Sequence, residues 1–109
     1  MQISAPVHHP SPLADDQTTQ SLADLFRLLG DPTRLRIVDA LTSAELCVHE
    51  ISERIGLSES AVSHQLRLMR TMRIVRGRRE GRCVYYALDD QHVLSLFQQG
   101  LRHVTEDRA

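Results

Sequence analysis

Residues 47–72 read CVHEISERIGLSESAVSHQLRLMRTM, and the fold turns on this stretch. Val48, Ile51 and Ile55 recur at helical spacing until Gly56, the residue type that most often closes a helix in the left-handed conformation. Residues 47–55 are therefore expected to form one short helix. Ser58 is a good N-cap for a second, whose inward residues Ala61, Val62, Leu66, Met69 and Met72 leave Ser60, Ser63, His64 and Arg67 outside. Two short helices joined across Gly56, Leu57 and Ser58 make a helix-turn-helix.

Immediately downstream, residues 74–88 read IVRGRREGRCVYYAL, and the period changes. Ile74 and Val75 on one side and Val84, Tyr85 and Tyr86 on the other are strand formers, separated by the polar turn Arg79, Glu80, Gly81 and Arg82. A hairpin in this place is a wing, so the unit reads as a mainly α winged helix-turn-helix. Upstream, Leu22, Leu25, Phe26 and Leu29 give a helix from Ser21 that ends at Gly30. Asp31 caps the next helix, Pro32 fits its first turn, and Leu35, Val38 and Leu41 form its expected buried stripe. Residues 89–106 are helical again, with Val93, Leu94, Phe97, Leu101 and Val104 apolar. Residues 1–18 hold three of the four prolines and the pair His8 and His9, without apolar periodicity; they read as a flexible arm ahead of one domain at 19–109.

With 109 residues there is room for one core, so a larger binding surface has to come from association of chains. No apolar run is long enough for a membrane span and no signal peptide follows Met1, which gives the expectation of a cytoplasmic protein. The net charge of −1 hides a strong asymmetry: residues 60–82 carry seven Arg against one acid, while residues 1–59 carry four Arg against nine acids. Every basic residue is Arg, whose planar fork suits bidentate contact with phosphate or guanine. One basic segment on an otherwise acidic chain points to nucleic acid.

In a helix-turn-helix the second helix enters the major groove of double-stranded DNA. Ser58, Ser60, Ser63, His64 and Arg67, with Gln65 at the margin, are the candidates to meet base edges there. Arg70, Arg73, Arg76, Arg78, Arg79 and Arg82 run on into the wing, where they can reach phosphates or the minor groove, and most of the wing arginines are assigned to phosphate contacts, which position a protein without reading sequence.

The last helix carries Asp90, His92, His103 and Glu106, a D-x-H-x10-H-x2-E pattern of groups that bind borderline divalent ions. Eleven residues bring His103 back to within about 20° of His92 around the helix but about 16 Å along it, so one chain cannot bring all four to one ion. Two copies packed antiparallel across a two-fold axis can: Asp90 and His92 of each then face His103 and Glu106 of the other, with Asp90 at the N-cap. Such a homodimer carries two equivalent sites, and its interface runs along Leu94, Phe97 and Leu101. The ligand set suits Zn2+, with Co2+ and Ni2+ as alternatives. A second candidate set is Cys47 and His49 with His8 and His9 of the arm; Cys83 reads as a packing residue. There is no H-E-x-x-H and no base beside an open coordination position, so a zinc hydrolase is not supported.

FRLLGDPTRLRIVDAL at 26–41, ELCVHEISERIGLSESAVSHQLRLMR at 45–70 and REGRCVYYAL at 79–88 together resemble the ArsR/SmtB metal-sensing repressors from residue 21 onward. The resemblance implies a homodimer, with N- and C-terminal helices at its interface, that sits on an imperfect inverted repeat and releases it when metal binds. It also implies that metal efflux or sequestration genes are thereby switched on, that SESAVSHQL is the recognition helix, and that D-x-H-x10-H-x2-E is a C-terminal interhelical zinc site. Members with a site near the recognition motif carry Cys-x-Cys after Glu-Leu, whereas the second position here is His49. A regulator answering arsenite, cadmium or thiol oxidation through Cys47 is the alternative.

Overall fold

The computed structural model describes residues 11, 13 and 15–106. Eight elements follow in order: α1 (Asp16–Leu29), α2 (Pro32–Ala40), β1 (Leu46–Cys47), α3 (Val48–Ile55), α4 (Glu59–Thr71), β2 (Val75–Glu80), β3 (Cys83–Leu88) and α5 (Gln91–Glu106). The order of strands in the antiparallel sheet is β1-β3-β2. Helix α3, the turn and α4 form the helix-turn-helix, and β2 and β3 form the wing. No helix among the described residues is long and apolar enough to cross a membrane.

Short-range chemistry sets most element ends. The Asp31 carboxylate accepts from Arg34 N at 3.0 Å and Pro32 occupies the first turn of α2. Gly56 closes α3 at φ 74°, its N–H donating to Ser52 O, and Ser58 Oγ then accepts from Ala61 N at 3.1 Å to open α4. The wing turns over Gly81 and Arg82 between the paired Glu80 and Cys83. Gly81 takes φ 63° and Arg82 does not share it, as in a II′ hairpin.

Three expectations need correction. Helix α1 begins at Asp16 rather than Ser21, because the Asp15 side chain accepts from Gln17 N at 3.0 Å and from the Thr18 hydroxyl at 2.9 Å. Residues 16–18, read as the end of the arm, are thus its first turn. Cys47 is not inside a helix: it ends β1, where Leu46 pairs with Tyr86 and Cys47 with Tyr85, and its N–H donates to the Glu50 carboxylate at 2.9 Å as α3 starts. Leu35 is exposed, and the buried face of α2 is made by Ile37, Val38 and Ala40, with Leu41 following.

The core gathers Ile37 and Val38 from α2, Ile51 from α3, Val62, Leu66 and Met69 from α4, and Ile74 and Val75 at the base of the wing. No polar side chain is buried in it. Helix α1 buries no residue and α5 buries only Val93. Phe26, Leu101 and Val104 stay 54%, 48% and 55% exposed, and with Leu35 and Phe97 they line an apolar groove of about 350 Å³ between α1, α2 and α5.

Candidate nucleic-acid and metal interfaces

The core holds α4 by Val62, Leu66 and Met69, which turns Ser60, His64 and Arg67 to solvent and leaves Ser63 half-buried. Gln65 lies on the other side. Its Oε1 accepts from Arg34 Nε at 2.9 Å while Arg34 Nη1 donates to Leu28 O at 3.2 Å, so Gln65 ties the recognition helix to α2 and the end of α1. Ser58 spends its hydroxyl oxygen on the cap of α4.

The seven arginines of residues 60–82 fall into two groups. Arg76 Nη1 donates to Asp89 O at 2.9 Å, and Arg78 pairs with Glu45 through Nε at 3.3 Å and with Glu80 through Nη1. Those contacts raise the Arg78 guanidinium above its ordinary value, the Glu80 bond contributing most. Arg67, Arg70, Arg73, Arg79 and Arg82 have no hydrogen-bond or ion-pair partner for their guanidinium groups among the described residues. Arg73 takes φ 58°, an unusual backbone for a non-glycine residue, where α4 turns into the wing.

On α5, Asp90 takes the N-cap, its Oδ1 accepting from Val93 N at 3.1 Å, and this bond is the main cause that holds its carboxyl below the ordinary value. Asp90 Oδ2 faces His92 Nδ1 at 3.4 Å, with the imidazole 95% exposed. That gap matches the edge of a tetrahedron with metal–ligand bonds of about 2.1 Å. His103 and Glu106 lie exposed in the last turns of the same helix. Among the described residues no three His, Cys, Asp or Glu side chains of one chain gather to hold an ion.

Of the second candidate set, Cys47 and His49 lie among the described residues. The His49 ring lies between two carboxylates, Nε2 at 2.9 Å from Glu53 and Nδ1 at 3.1 Å from Glu59, the first residue of α4. Only the imidazolium donates to both at once, and these contacts, led by the bond to Glu59, raise the His49 pKa above 6.5. His49 is therefore committed to joining α3 to α4, while Cys47 is a half-buried free thiol in β1. His8 and His9 lie outside the described residues. Cys83 is exposed at the start of β3 and does not pack in the core. Sequence reading missed Glu45, Glu59 and the tie from Arg34 to Gln65; only the i,i+4 spacing of His49 and Glu53 was readable in advance.

Comparison with known proteins adds a further set of observations. Residues 31–76 match the model of the bacterial regulatory protein, arsR family. The chain is 46% identical over 97 residues to a transcriptional repressor SmtB homolog of Synechocystis sp., covering 89% of this chain and 73% of that one. The crystal structure of the AntR antimony-specific transcriptional repressor is similar at TM-score 0.76 and 32% identity, covering 95% of this chain and 98% of that one. A solution structure of a homodimeric winged helix-turn-helix DNA-binding domain, from a possible ArsR-family transcriptional regulator of Mycobacterium bovis, is similar at TM-score 0.74 and 26% identity over 94% of this chain and 91% of that one.

Proposed function

The chain belongs to the ArsR/SmtB family of metal-sensing winged-helix transcriptional repressors, and from that premise we propose that it represses as a homodimer on an operator inverted repeat and is released by zinc or a similar divalent ion. The genes so controlled are those of metal efflux or sequestration. Helix α4 enters the major groove, where Ser60, Ser63, His64 and Arg67 read base edges, and Arg70, Arg79 and Arg82 contact phosphates. The unpaired state of those arginines supports the assignment.

The metal reading is carried by one observation. Asp90 Oδ2 and His92 Nδ1 stand 3.4 Å apart at one end of α5, exposed, with His103 and Glu106 near the other end. Each pair supplies half a tetrahedral ligand set, and in an antiparallel pairing of two α5 helices each half meets His103 and Glu106 of the partner subunit. The apolar groove beside α5 supports the same pairing, since Phe26, Leu101 and Val104 are exposed in a single chain. When bound, the ion supplies a crosslink between the two helices. Asp90 is already oriented for this by its cap bond to Val93. The start of α5 also bears on the reading head, because Asp89 N donates to Ile74 O and Ile74 N to Met69 O of α4, each at 2.9 Å. Coupling of this kind amounts to roughly 1–3 kcal/mol, and it is reciprocal: DNA weakens metal binding by the same factor.

Fluorescence anisotropy of a labelled duplex bearing the inverted repeat, titrated with metal-free protein and then zinc at fixed salt, tests the proposal. Binding that zinc reverses, and that persists with zinc in His103→Ala, is the expected result. Release by zinc in His103→Ala, with Cys47→Ser abolishing it, transfers the sensing to the Cys47 thiol.

A further inference from the structure

The wing divides its arginines between its two faces. In β2, Val75, Gly77 and Arg79 belong to one face, opposite Leu88, Tyr86 and Val84 of β3, and Arg76, Arg78 and Glu80 to the other, opposite Ala87, Tyr85 and Cys83. The first face is the one turned to the recognition helix. A Cβ added to Gly77 would press on Val84 and Tyr86 of β3, at 3.1 and 3.3 Å, and would stand 3.7 Å from Arg70 Nη1 of α4, which places the Arg70 guanidinium beside this face of the wing.

Arg78 points the other way, toward Glu45, Glu80 and Tyr85. Nε faces Glu45 at 3.3 Å, Nη1 meets Glu80, and the guanidinium carbon stands 5.4 Å over the Tyr85 ring. Glu45 immediately precedes β1, Glu80 ends β2 and Tyr85 is in the middle of β3, so one guanidinium links the entry to β1 with β2 and β3. A planar fork can hold two carboxylates in different directions while stacking on an aromatic face; an ammonium cannot. Arg76, on the same face, is held by Asp89 O.

We infer that Arg78 is a positioning residue of the wing, withheld from DNA by Glu45 and Glu80, and that Arg79, on the opposite face, is the arginine of β2 that contacts phosphate. This rests on the DNA-binding reading above. It sharpens that reading, because the seven arginines of 60–82 look alike in composition and those of β2 are told apart by the face from which they project. Arg78 sets the angle at which the hairpin presents Arg79, and it fixes β1, and with it the start of α3, to the same platform.

The test is the salt dependence of DNA affinity for the metal-free protein, with four variants: Arg78→Gln, Arg78→Lys, Arg79→Gln and Glu45→Gln. Each phosphate contact contributes about 0.9 to the slope of log K against log salt, so Arg79→Gln, which removes one contact per subunit of a dimer, flattens the slope by about 2. Arg78→Gln leaves the slope as it is and weakens binding about 2- to 5-fold at every salt concentration, the range of a surface ion-pair network. Arg78→Lys keeps the charge but loses the brace, so it follows Arg78→Gln rather than the parent. Glu45→Gln weakens binding in the same way and adds little to Arg78→Gln. A flatter slope in Arg78→Gln, parental affinity in Arg78→Lys, or tighter binding in Glu45→Gln overturns the inference while the repressor reading stands. A slope untouched by Arg79→Gln overturns it as well. A parent chain that binds no DNA overturns both.

Discussion

The helix-turn-helix and the α1/α5 face are built to opposite standards of completion. Helices α3 and α4 have a cap at each start, a left-handed glycine between them, and Ile51, Val62, Leu66 and Met69 fully enclosed. Helix α1 buries nothing, α5 buries Val93 alone, and Phe26, Leu101 and Val104 face solvent across an apolar groove. A single chain finishes its reading head and leaves its other end open. The same division holds for the polar chemistry: the exposed side of α4 is set by contacts within one chain, whereas Asp90 and His92 stand together at the start of α5, and the site proposed for them needs His103 and Glu106 from a second copy.

Substitutions at the two ends should differ in kind. Ile51→Ala or Leu66→Ala opens a cavity in a closed core and should cost about 2–5 kcal/mol in denaturant unfolding. Phe26→Ala or Leu101→Ala removes apolar surface that a single chain already exposes, so the monomer should unfold nearly as before. Their effect should appear as weaker self-association by sedimentation equilibrium. An Ile51→Ala protein as stable as the parent, or a Leu101→Ala protein that associates as the parent does, would break the contrast.

Smaller effects sharpen it. Gln65→Ala leaves Arg34 Nε without its acceptor and should cost about 1 kcal/mol of stability, with DNA affinity reduced through a less fixed α4 rather than through a lost base contact. The salt slope should therefore stay parental in this variant. The smallest effect belongs to His49, which lies on the surface. Its folded-state pKa is raised above 6.5, so the stability it contributes is present in full below pH 6.5 and is lost as the pH rises through the raised value. NMR titration should place His49 above 6.5, Glu59→Gln should return it toward 6.5, and a His49 that titrates below 6.5 would show that the clasp between α3 and α4 does not form.

What could be read in advance was local. The Asp31 cap with Pro32, the stop at Gly56, the Ser58 cap and the place of Asp90 at the start of α5 each depend on residues within four positions, and the helix-turn-helix and wing follow from them. What escaped was set at long range. Strand β1 is two residues long and exists because β3 arrives about 40 residues later to pair with it. Leu35 fits a helical stripe by period, yet the side it occupies faces the open groove. The partners of Gln65 and Arg78 within the chain, Arg34 and Glu45, stand 31 and 33 positions away. The contact of the His49 imidazole with Glu59 joins residues ten positions apart, across the turn between α3 and α4.

Complementation between two damaged chains tests most directly whether a second copy completes what one chain leaves open. A chain with His92→Ala and a chain with His103→Ala should each bind zinc poorly alone. Mixed and allowed to exchange subunits, they should recover one tight site in each mixed dimer, because that dimer keeps an intact Asp90 and His92 on one subunit opposite an intact His103 and Glu106 on the other. No recovery on mixing, or a full site in either variant alone, would contradict the account.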